Sequence, residues 1–104
     1  LVDTLWVRAE TAPTAAYAEV TYREIVVAHA MSPRAREALF RLGTLVLARG
    51  DRAGALEAFG RYLRDYPDGP AAAPVASLVT RLRREEADAL LLEQGGGTRT
   101  SGAG

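Results

Sequence analysis

The chain has 104 residues, 48% of them apolar and 25% charged, with 13 basic side chains balanced by 13 acidic ones. That is one small domain with a single core, and zero net charge removes the usual electrostatic case for nucleic acid or an anionic membrane as partner. Cysteine is absent and His29 is the only histidine, which excludes a disulfide framework, a thiol nucleophile, a Cys-based metal site and any His pair or triad drawn from this chain alone.

The first apolar residues, Val2, Leu5, Trp6 and Ala9, fall on one helical face and predict a short helix over 1–10. Pro13 breaks it, and the Thr14 hydroxyl is placed to cap a second helix over 15–30. Ser32-Pro33 supplies an N-cap followed by proline at the first helical position, so a third helix starts there. Its predicted buried stripe is Ala35, Ala38, Leu39, Leu42 and Val46. Gly50 can take the left-handed C-cap conformation and Asp51 can cap a fourth helix over 52–66. That helix carries Ala55, Leu56, Phe59, Tyr62 and Leu63 on one side, and Pro67-Asp68-Gly69-Pro70 stops it. The last helix is predicted over 71–93, with Val75, Leu78, Val79 and Leu82 as its stripe, followed by Arg83-Arg84-Glu85-Glu86 where a buried residue would next fall. Its Arg and Glu residues are expected to pair along the helix. Connections this short imply antiparallel neighbours. The glycine-rich residues 94–104 read as a flexible tail.

A repeat runs through these elements. Leu5, Ala18, Tyr22, Ile25, Val26, His29 and Pro33 recur 37 residues later as Leu42, Ala55, Phe59, Tyr62, Leu63, Tyr66 and Pro70. Periods of about 20 to 50 residues mark stacked supersecondary units, each of which needs a neighbour to bury its apolar face. The expected fold is all-α, an α-solenoid of antiparallel helix-turn-helix repeats with about five helices. Residues 1–93 form the repeat domain: a first pair over 1–30, a second over 34–66 and a capping helix over 71–93.

Leu39, Leu42, Gly43 and Val46 in one helix, Ala55 and Phe59 in the next and Pro67 after it resemble the tetratricopeptide repeat. The likeness is fullest over 34–67. The preceding copy departs at Trp6, where the family prefers Gly, and at Ala30, where it prefers Pro. Gly43 and Ala55 are small where the paired helices approach closely, and Phe59 fills the space between successive pairs. The resemblance extends to bacterial envelope members such as the periplasmic Tol-Pal-associated coordinator and the outer-membrane assembly lipoprotein. It implies a bacterial protein, in the periplasm or cell envelope rather than the cytoplasm. The absence of Lys and Asn, with all 13 basic residues Arg, fits a GC-rich bacterial genome.

The resemblance also implies a groove lined by the first helices of the repeats, which places Glu37, Phe40, Arg41, Thr44 and Leu47 in it, with Ser77, Arg81 and Arg84 on one flank and Asp3 and Val7 on the other. Phe40 and Leu47 lie off the buried stripe, so they are exposed for a ligand or covered by a subunit contact, unless Phe40 simply packs on the adjacent helix. No catalytic, cofactor or metal residue is expected. His29 matches Tyr66 in the next copy and is read as structural, as is Arg49-Gly50-Asp51, an adhesion tripeptide that falls on a turn needing Gly and Asp as caps. Arg81 to Arg84 lack interleaved aromatics, which argues against nucleic acid, and no apolar run reaches the roughly 18 to 20 residues of a membrane span. The function expected is a non-catalytic scaffold for a protein or peptide. The alternatives are a self-associating unit completed through Leu90 to Leu92 or the first pair, and an accessory segment of a larger envelope or regulatory protein.

Overall fold

A computed structural model describes the backbone of residues 1–103 and the side chains of residues 1–94. Among these residues the fold is all-α: α1 (Val2–Glu10), α2 (Ala15–Ala28), α3 (Pro33–Ala48), α4 (Arg52–Asp65) and α5 (Ala72–Ala103). The first four helices match their predicted bounds to within two residues. α5 differs, running past the end predicted at Glu93 and into the stretch read as a flexible tail. Glycine weakens a helix by about 1 kcal/mol per residue but, unlike proline, keeps its amide donor, so a glycine run need not end one. Gly104 lies outside the described residues.

The 37-residue repeat is visible as a repeat of hydrogen bonds. Thr14 Oγ1 accepts from the Tyr17 N–H at 3.1 Å, and its counterpart Asp51 Oδ1 accepts from the Gly54 N–H at 2.8 Å. These side chains satisfy donors that a helix start leaves without intrahelical partners. At the other end of each hairpin, His29 and Tyr66 cap α2 and α4 in nearly the same backbone conformation, φ −127° and ψ 42° against φ −132° and ψ 58°. The next turn follows suit: Ser32 N–H donates to His29 O and Gly69 N–H to Tyr66 O, both at 2.9 Å. Gly50, at φ +90°, supplies the left-handed residue between α3 and α4. That turn therefore needs its glycine and its aspartate.

Each helix packs on the next, and α1 also reaches α3. One apolar cluster runs through all five helices. The predicted stripe of α3 is buried throughout, as are Ala55, Phe59 and Tyr62 of α4 and Val75, Val79 and Leu82 of α5, while Leu56, Leu63 and Leu78 are half-buried. Trp6, the misfit of the first repeat, is buried at 6% exposure and meets Tyr22 edge-on with ring centroids 5.6 Å apart. The indole fills space that a glycine would leave open.

α3 and α4 approach closely at Gly43. A Cβ placed on Gly43 would lie 2.6 Å from the ring of Phe59, which is 0% exposed and has nowhere to move. Gly43→Ala is expected to destabilise the protein by about 1 to 3 kcal/mol, the range for overpacking a filled core, read from the midpoint of urea unfolding. Tyr62 adds a polar tie at the α4–α5 connection, its hydroxyl accepting from the Ala71 N–H at 3.2 Å.

A polar link joins α2 to the end of α3. Arg49 donates twice to Glu19, Nε at 2.8 Å and Nη2 at 3.1 Å, and Arg23 donates to the same carboxylate at 3.1 Å. The hydrogen bond from Arg49 holds the Glu19 carboxyl below its ordinary value of 4.5; partial burial opposes this and Arg23 assists it. A depressed folded value stabilises the protein above the unfolded value and withdraws that stability as pH falls through the folded one. Glu19→Gln is therefore expected to lower stability at pH 7, with the gap to the native protein closing as pH drops below about 4.5. Urea titrations at a series of pH values check this.

Candidate functional site

A cleft of about 530 Å³ opens on one side of the molecule. The end of α1 (Ala9, Glu10), the α1–α2 turn and the start of α2 form one wall, and Glu37, Phe40, Arg41, Thr44 and Leu45 of α3 form the other. Its surface is mixed. Alanines at 9, 12, 15 and 18 keep the first wall low, Phe40 and Leu45 supply apolar area, and Glu10, Thr14, Glu37, Arg41 and Thr44 ring it with polar groups.

The low wall follows from sequence. Pro13 forces the chain to turn and Thr14 starts α2 at once, so the small residues on either side lie opposite the middle of α3. α1 is held against α3 by a ladder of contacts. Asp3 accepts from Arg34 Nε at 3.3 Å, the guanidinium carbons of Arg34 and Arg41 stand 4.8 and 5.3 Å from the centre of the Trp6 ring, and Glu10 lies 3.9 Å from Arg41. Cations over an aromatic face are attracted by its quadrupole. Arg41 is shared further, its Nε donating to Glu37 at 3.3 Å. Partial burial disfavours the Arg41 charge, but Tyr22 and Glu37 more than offset this and raise its pKa above the ordinary value.

Four of the residues predicted to line a groove, Glu37, Phe40, Arg41 and Thr44, come together here. Leu47 does not. It is half-buried against the core, while Leu45 takes its place in the lining. Phe40 serves both roles, because one edge faces the cleft while its ring lies 6.2 Å from Phe59 and 6.4 Å from Tyr62. Asp3 and Val7 line a separate concavity on α1 with Thr4, Arg8 and Thr11. Ser77, Arg81 and Arg84 are exposed on α5, which packs on α4 and contributes nothing to the cleft. The pairing expected among Arg81, Arg83, Arg84, Glu85 and Glu86 is not formed among the described ion pairs. On so exposed a helix face, side-chain entropy and hydration offset the weak attraction.

The first wall, with Glu10, Thr14 and Tyr22, escaped sequence reasoning. The available signal was the run of small residues flanking Pro13, which leaves room beside a helix. Among the described residues, no group of three or more His, Cys, Asp or Glu side chains could hold a metal ion, and no helix is long and apolar enough to cross a membrane. The chain matches no family model, no curated protein and no solved structure among those compared.

Trp6 anchors the wall that carries α1, so Trp6→Ala is expected to cost about 3 to 5 kcal/mol, the range for truncating a buried aromatic. Because the loss falls on the α1–α3 ladder, amide exchange should rise first across residues 2–10.

Proposed function

We propose that the chain is a non-catalytic interaction scaffold of tetratricopeptide-like repeats that holds an extended segment of a protein or peptide in the α1–α3 cleft. The observation that carries this reading is the cleft's composition: apolar area from Phe40, Leu45 and the alanines, bordered by Glu10, Glu37, Arg41 and Thr44. Such a surface suits an apolar side chain flanked by polar backbone and charge. Both signs of charge at the rim favour a segment with a cation and an anion on either side of its apolar residue. The repeat likeness to bacterial envelope proteins supports a place in an envelope complex, where a small scaffold takes its role from what it holds.

Thr44 is exposed at the cleft, and its substitution leaves the core untouched. Peptides selected from a random display library against the chain are expected to bind Thr44→Arg at least roughly tenfold more weakly, with the thermal midpoint held within a few degrees. Selected peptides that bind Thr44→Arg and Ala15→Arg as well as the native chain would place the binding surface elsewhere.

A further inference from the structure

A second concavity, of about 770 Å³, opens between the α2–α3 turn and the C-terminal half of α4. It shares no residue with the α1–α3 cleft. Met31, Pro33 and Tyr66 line it together with the buried Val26 and Leu39, and Met31 is almost wholly exposed. Its charges are unequal. Arg36 of α3 and Arg61 and Arg64 of α4 stand against the single carboxylate of Asp65.

The ion pairs leave that imbalance standing. Asp65 accepts from Arg61 Nε at 3.3 Å and lies 3.9 Å from Arg64 Nε, so one carboxylate serves two guanidiniums. Arg36 has no ion-pair partner among the described residues. It is also badly placed for its own helix, as the fourth residue of α3, where the positive end of the helix dipole disfavours a cation. Arg34, two residues earlier, meets the same cost but is answered by Asp3 and the Trp6 ring. Nor does the repeat call for these charges. Glu24, Val27 and Ala28 stand 37 residues before Arg61, Arg64 and Asp65, and Ala73 stands 37 after Arg36. A local preference broken with no gain inside the chain is a mark of a functional surface.

We infer that this notch binds an acidic peptide segment, in which carboxylates on either side of an apolar residue engage Arg36 of α3 and Arg61 and Arg64 of α4. The guanidinium fork matches a carboxylate with two parallel hydrogen bonds. The apolar residue between them rests on Met31, Pro33 and Tyr66. The volume falls within the roughly 300 to 1,000 Å³ of ligand pockets, more than a small inorganic anion fills, and the apolar lining favours a peptide over a polymer of phosphates. The inference does not depend on what occupies the α1–α3 cleft.

In fluorescence anisotropy at low salt, a labelled peptide Asp-Glu-Leu-Asp-Glu is expected to bind the native chain at least roughly tenfold more tightly than Asn-Gln-Leu-Asn-Gln. Arg36→Glu with Arg64→Glu should lose that preference and gain affinity for the basic peptide Arg-Lys-Leu-Lys-Arg, a gain that a misfolded chain cannot produce. Both side chains are exposed, so the thermal midpoint should hold within a few degrees. Arg81→Glu with Arg84→Glu changes the net charge equally on exposed positions of α5 and should bind the acidic peptide as the native chain does. Four results would each overturn the inference: no binding of the acidic peptide up to about 1 mM, a notch variant that binds it as well as the native chain, an α5 variant that loses it equally, or displacement by tripolyphosphate or an oligothymidylate at lower concentration than by unlabelled acidic peptide.

Discussion

Phe59 lies against Gly43 so closely that no side chain fits between them, and the packing of α3 on α4 is set by that contact. Much else depends on it. With the two backbones this near, Phe59 is fully enclosed and its ring becomes a platform for Phe40, which in turn offers an edge to the cleft. Tyr62, one turn further along α4, meets Phe40 and Tyr66 and fixes the connection to α5 through Ala71. A single small residue thus positions an aromatic chain that runs from the hairpin interior to the proposed binding surface.

The first hairpin solves the same packing problem differently. Leu5 and Trp6 sit on α1 where Leu42 and Gly43 sit on α3, so Tyr22, the counterpart of Phe59, meets an indole edge in place of bare backbone. The larger side chain leaves a face turned toward α3, and Arg34 and Arg41 occupy it. The departure from the repeat therefore builds the ladder that holds α1 in place, and with it one wall of the cleft.

Helix positions and caps were legible because they depend on local chemistry: Thr14, Ser32 and Asp51 act as caps through bonds to backbone two or three residues away. The buried stripes were legible for the same reason, since periodicity reports which face meets a neighbour. The site was legible only in part. Choosing Leu47 over Leu45 turned on how α3 is rotated against α1, which depends on the size of Trp6 and the shortness of the turn at Pro13 rather than on anything within α3. The grouping of Ser77, Arg81 and Arg84 with α3 assumed that α5 repeats the role of α1, whereas α5 leans on α4. Long-range placement is decided by partners that a local pattern does not name.

Because each helix touches chiefly its sequence neighbours, the chain is built almost entirely from short-range encounters. Few long loops must close before contacts reward closure, so folding of this topology belongs to the microsecond-to-millisecond regime of local helical proteins. The same linear order means that a disturbance is felt mainly next door. Loosening α1 weakens α2 and the edge of α3 but leaves the α4–α5 end assembled, so the two ends of the molecule can open and close on separate clocks.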